Sequence, residues 1–165
     1  MEGMKKLIFS IYLFSFSVVA FSLPDTWYMY FVNQCEKVGV PVSLAGAILY
    51  KENPSLNSKT VSVNRNGSKD LGLWQLNSQY LYCDFIPRYW DRKDKFEWNN
   101  PYHSTYVAVR HIRWLYRKFA GDLVPQAKAF STSLAYNAGY TAVITNHVPE
   151  SSIEYAVSVV RLIWR

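Results

Sequence analysis

One short stretch decides what kind of fold this chain can adopt. From Ser58 to Leu71 the sequence turns polar, β-branched and turn-forming, and within it Asn66-Gly67 stands between Val61-Ser-Val63 and Leu71. Asn-Gly readily takes the positive φ angles of a tight hairpin turn, so a small β-hairpin is expected here. The segments on either side are patterned for helices, with apolar residues returning every three or four positions. The chain is therefore expected to be mostly α, of the α+β kind, with one small β element.

The first helix is expected from Asp25 or Thr26, either of which can cap it, to about Val38. Trp27, Tyr30, Phe31 and Gln34 or Cys35 share one face, and Gly39 stops it. Pro41 or Ser43 opens a second helix packed through Leu44, Ala45, Ile48 and Leu49. Asn53-Pro54 ends it, because proline holds the preceding residue out of helical geometry. A short helix is expected from Gly72 to about Leu81, then an irregular connector over 84–101 with one helical turn at most. Later helices are expected from about His103 to Phe119, packed through Val107, His111, Trp114, Leu115 and Phe119, and from about Val124 to Tyr136. The last opens at Ser151 or Ser152 and turns Ile153, Val157, Val160 and Trp164 inward.

Residues 1–22 place Lys5 and Lys6 before an apolar run from Leu7 to Ala20 and end in Ala20-Phe-Ser22. That is the order of a secretory signal cleaved after Ser22 or Ala20, and it implies a periplasmic or cell-envelope location. An uncleaved membrane anchor is the alternative, since the run is near the lower length limit for a span. Residues 23–165 then suffice for one domain with one core, expected to act as a monomer. Lys and Arg number 18 against 12 Asp and Glu, and a basic protein outside the cytoplasm suits an anionic envelope polymer or membrane surface. Nucleic acid is not the expected partner. Arg110, Arg113, Arg117 and Lys118 share one helical segment with the spacing of a solvated face, and no zinc-finger, RNA-binding or glycine-loop pattern occurs. Cys35 and Cys83 are the only cysteines; export permits a disulfide between them, with two buried free thiols as the alternative. They form no ligand cluster with His103, His111 or His147, so neither a metal nor another cofactor is expected.

Glu52 carries the chemical interest. Ile48 and Leu49, one turn earlier, would shield its carboxyl from water, and the C-terminal end of a helix disfavours negative charge. Both keep the proton on, as a general acid requires. The plain alternative is an exposed helix-terminal glutamate beside Lys51. Asp70 supplies a second carboxyl that either faces the cleft or caps the turn through its oxygens.

Glu52, the run Asn64-Arg-Asn-Gly-Ser-Lys-Asp70, Gly72-Leu-Trp-Gln75, Asn77 and Ala135-Tyr-Asn-Ala-Gly139 together resemble the signature blocks of the lysozyme-like soluble lytic transglycosylase family. The nearest likeness is to its small secreted members associated with envelope-spanning assemblies. The resemblance runs from about Val38 to the C-terminus and implies a helical domain with a β-hairpin beside the catalytic cleft. It makes Glu52 the single acid that protonates the bond between N-acetylmuramic acid and N-acetylglucosamine, then the base that closes a 1,6-anhydro product. Asp70, Gln75, Tyr136, Asn137 and Tyr155 would support it, and Asn53, Gly72, Leu73, Trp74 and Asn77 would meet the glycan. Read from the residues alone, Gly72 is equally a turn glycine, Gln75 a satisfied core amide, Asn137 a helix cap, and Tyr136 and Tyr155 packed aromatics. Asn53 departs from the serine that usually follows the glutamate, Trp74 from a common methionine, and Tyr140 from a common proline. Trp74, Tyr80, Tyr82, Trp90 and Trp98 are candidates for stacking on sugars, one or two of them being expected to serve.

The resemblance thus implies a peptidoglycan lytic transglycosylase serving secretion-system, pilus or flagellar assembly. Two other functions fit the same residues. One is a lysozyme-type muramidase in which Asp70 assists hydrolysis, the two-carboxylate arrangement known from animal lysozyme. The other is a noncatalytic glycan-binding assembly protein that keeps the cleft.

Overall fold

Helix α1 runs from Asp25 to Val38 and stops where Gly39 enters the left-handed region at φ 71°. Its first turn is not capped by Asp25 or Thr26. Pro24 occupies the cap position, and the Thr26 hydroxyl instead meets Tyr102 Oη at 3.0 Å. Helix α2, Val42–Glu52, buries Leu44, Ala45, Ala47, Ile48 and Leu49 and ends at Asn53, ahead of Pro54. The computed structural model describes residues 23–119, 121 and 123–164. The expected signal segment, residues 1–22, lies outside the described residues.

The turn at Asn66-Gly67 joins β1 (Val61–Val63) to β2 (Lys69–Leu71), and β2 pairs in turn with β3 (Leu76–Asn77), all antiparallel in the order β1-β2-β3. The third strand replaces the first half of the expected helix from Gly72. Gly72 and Gln75 both have positive φ, 70° and 47°, which no right-handed helix accommodates, so the chain turns back onto β2 before helix can start. Helix begins only at α3 (Ser78–Tyr80), with Asn77 accepting from Gln79 N at 3.0 Å, and continues through a π turn (Leu81–Phe85) into α4 (Ile86–Tyr89). The irregular connector is accordingly confined to 90–100.

The rest is helical: α5 (Pro101–Lys118), α6 (Pro125–Ala138), the short α7 (Tyr140–Ile144) and α8 (Glu150–Ile163). Helix α5 starts two residues before the expected point because Asn100 caps it, accepting from Tyr102 N and His103 N. It packs along α1 and α6, while α8 packs against α6 and α2. Two inward faces differ from the expected ones. On α5 Val107 and Leu115 are buried as expected, together with Ser104, Thr105, Ala108, Val109 and Ile112, whereas His111, Trp114 and Phe119 are only partly covered. On α8 the buried residues are Ser152, Ala156 and Val159; of the expected row Val157 and Val160 are partly covered, Val160 packing on the core, whereas Ile153 and Trp164 remain exposed.

One buried hydroxyl joins the core to the cleft segment. Thr105 Oγ1 accepts from the indole nitrogens of both Trp27 (3.0 Å) and Trp74 (2.9 Å), so α1, α5 and the turn beneath the sheet share one polar anchor. The two cysteines are not bridged. Cys35 is buried on the core face of α1, and Cys83 is exposed on the π turn with its thiol donating to Gln79 O, so both thiols are free and only one of them is buried.

Candidate active site

Glu52 closes α2 at the edge of the sheet. The residue is only partly covered, yet its carboxyl group is desolvated, and that burial, aided by the charge of Asp70, pushes its pKa up to about 7. A hydrogen bond from Tyr155 Oη to Glu52 Oε1, 2.6 Å long, and the charge of Lys51 act the other way without cancelling the shift. Near neutral pH the carboxyl therefore exists in both forms, the condition for giving and then recovering a proton.

Three helices and the sheet meet here. Tyr155 comes from α8, and Tyr136 from the last turn of α6, where its hydroxyl donates to Trp74 O at 3.0 Å. Burial and the charges of Glu52 and Asp70 raise the Tyr136 phenol well above its usual range, and burial with Glu52 does the same to Tyr155. Both stay neutral donors. Asn137, the next residue, is exposed.

Asp70 is clamped from both sides. Asn64 Nδ2 donates to its Oδ2 at 3.0 Å and Asn77 Nδ2 to its Oδ1 at 2.8 Å, with Ser68 Oγ accepting from both amides at 3.1 Å. One amide donor on each oxygen fixes the direction of the carboxyl group. Asp70 does turn-binding work, therefore, and its charge also reaches Glu52. Asn64 was legible as part of the turn but not as a partner of Asp70. The signal was its place across a hairpin whose Asn66-Gly67 turn sets the register.

The residues expected to meet the glycan are mostly committed inside the protein. Leu73 and Trp74 are fully buried and form the floor without reaching its surface. Asn53 is buried, donating to Asn57 O (2.8 Å) and Gly72 O (3.4 Å) and accepting from Ser55 Oγ (2.7 Å); it binds the end of α2 to the turn below the sheet. Gly72 is required by its φ and by the Trp98 carbonyl, which would lie 2.6 Å from an added Cβ, rather than by the approach of a sugar. Asn77 is spent on Asp70 and on capping α3. Gln75 donates to Gly72 O and accepts from Ser62 Oγ, both at 2.8 Å. Of the five stacking candidates, Tyr80 and Tyr82 are exposed, Trp74 is buried, and Trp90 is packed among Phe96, His103 and Tyr106. Trp98 is half-buried against Gly72. Among the described residues no group of His, Cys, Asp and Glu is arranged to hold a metal, and no helix is long and apolar enough to cross a membrane.

The arrangement has one proton-exchanging carboxyl, one fixed carboxylate and two neutral phenols on the edge of a polar sheet face. An apolar hollow of 170 Å³ lined by Pro41, Leu44, Tyr116, Pro125 and Trp164 sits at the opposite ends of α2 and α6 and takes no part in it. Residues 29–158 match the family model described as the transglycosylase SLT domain. No curated protein and no solved structure matches the chain significantly.

Proposed function

With the chain belonging to the transglycosylase SLT domain family, and so a lytic transglycosylase acting on peptidoglycan strands, we propose that it cleaves the bond between N-acetylmuramic acid and N-acetylglucosamine with Glu52 as sole obligatory acid and base. The observation that carries this reading is the Glu52 carboxyl, raised to about 7 while held at one oxygen by Tyr155. With Oε1 engaged, Oε2 is the oxygen free to carry the transferable proton. It protonates the leaving oxygen; the carboxylate so formed takes the proton of the muramoyl 6-hydroxyl, whose oxygen closes on the anomeric carbon to give the 1,6-anhydro sugar. Burial favours return of the proton to Glu52, and Tyr155 limits the cost of the charged interval. No water enters as nucleophile.

Asp70 serves this scheme through its charge. Locked between Asn64 and Asn77, it stands as a fixed anion that raises the proton affinity of Glu52 and faces the positive charge that develops on the sugar. The muramidase alternative would have Asp70 assist water or attack the sugar, and the loss of activity on removing its charge separates the two readings. Residues 1–22 support export, and recruitment to a secretion-system, pilus or flagellar assembly is proposed as the setting in which the enzyme opens the wall locally. The test is release of soluble fragments from intact peptidoglycan by purified variants. Glu52→Gln should lose at least about a hundredfold in rate, and Asp70→Asn should keep measurable release. Equal loss in both, with folding verified by circular dichroism, would rule out the one-carboxylate scheme.

A further inference from the structure

Ser62 stands on the cleft side of the hairpin. It pairs with Asp70 in the β1–β2 register, and residues directly opposite one another in an antiparallel pair project to the same face. Asp70 is near enough to Glu52 for its charge to act on the acid. Ser62 is exposed and belongs to the outer strand, so its hydroxyl opens to solvent on the face that carries the chemistry.

The polarity of that hydroxyl is set by its neighbour. Gln75 Nε2 donates to the Gly72 carbonyl at 2.8 Å, which orients the amide with Oε1 toward Ser62. An amide oxygen only accepts, so the 2.8 Å contact between Ser62 Oγ and Gln75 Oε1 uses the single hydroxyl proton of Ser62. Lone pairs alone remain for a ligand. Gln75 is itself held in place, with a backbone at φ 47° that the surrounding turn must impose. Asn53, from the end of α2, donates to the same Gly72 carbonyl and ties this chain of contacts to the acid-bearing helix.

We propose that Ser62 is a glycan-contacting residue, an acceptor-only site for an N–H or O–H of an N-acetylhexosamine unit, with Gln75 as its positioning partner. The identity of the ligand rests on the glycan-cleaving reading above. The site selects a hydrogen-bond donor and disfavours a carboxylate, whose oxygens would face the lone pairs of Ser62.

Titration calorimetry with the tetramer of N-acetylglucosamine tests this in a Glu52→Gln background, where no turnover interferes. Ser62→Ala should weaken binding about three- to tenfold, the worth of one neutral hydrogen bond, and Ser62→Thr, which keeps the hydroxyl, should restore it. Gln75→Leu should weaken binding too, and Ser62→Ala added to it should cost nothing more. If Gln75→Leu does not fold, the Ala and Thr variants of Ser62 decide alone. Binding by Ser62→Ala equal to that of the background, additive losses in the double variant, or no binding by the background would overturn the proposal. Ser62-dependent binding by a protein that releases nothing from peptidoglycan would support it while sinking the enzymatic reading.

Discussion

Tyr155 and Asp70 push the proton affinity of Glu52 in opposite directions, and this gives the site a pH signature. The acid must be protonated to start the reaction, so the rate of glycan release should fall as pH rises through about 7. Removing the Tyr155 hydroxyl takes away a bond that favours the carboxylate; Tyr155→Phe should move that falling limb to higher pH. Asp70→Asn takes away a negative charge that favours the protonated form and should move it lower. Measuring the pH profiles of the three proteins checks both signs, and a common limb would break the link between these contacts and the acid. Stability carries the same sign. Because the folded pKa lies above the reference value of 4.5, the stabilising effect of protonated Glu52 is complete below 4.5 and is lost as pH rises through about 7. Glu52→Gln should therefore gain melting temperature over the parent in alkaline buffer and not in acid.

At the scale of elements, the turn from Gly72 to Gln75 matters most, because it sets α2, the sheet and the connector against one another. An alanine at Gly72 would have to tolerate φ 70° with a Cβ 2.6 Å from the Trp98 carbonyl. Gly72→Ala should cost roughly 2 kcal/mol or more, seen as a lower urea midpoint with an unchanged slope. This turn also marks where sequence reading ran out. The bounds of α1 and α2 followed from Gly39 and Asn53-Pro54, and the hairpin from Asn66-Gly67, because each is governed by local backbone preference. β3 was hidden. Its two residues, Leu76 and Asn77, have no pattern of their own and pair only because the positive φ of Gln75, imposed by tertiary contacts, turns them onto β2. The facing of α8 was hidden for a related reason. Two of its three buried residues, Ser152 and Ala156, are small, and a search for large apolar residues finds Ile153 and Trp164 instead.

Across the whole molecule, the site is assembled from parts far apart in sequence, and this divides what was legible from what was not. Glu52, Asp70, Gln75, Tyr136 and Tyr155 all drew notice from the chain alone, yet only the fold shows which oxygen each one reaches. Tyr155 takes the acid, 103 positions away, while Tyr136 takes the Trp74 carbonyl. Asn53, Leu73, Trp74 and Asn77 were read as glycan contacts because they sit beside such residues in sequence, but the first three are buried and half-buried Asn77 is engaged with Asp70 and the start of α3. Ser62 lies opposite Asp70 across the hairpin and Asn64 donates to it, contacts that the hairpin register carries and that residue type alone does not show. The result is a site with one carboxyl poised to exchange a proton and a clamped neighbour, and the product separates the proposed one-carboxylate scheme from hydrolysis. Mass spectrometry of the muropeptides released from intact peptidoglycan by the purified protein is the most direct test. The account predicts chains that end in 1,6-anhydromuramic acid; reducing ends formed by water would contradict it.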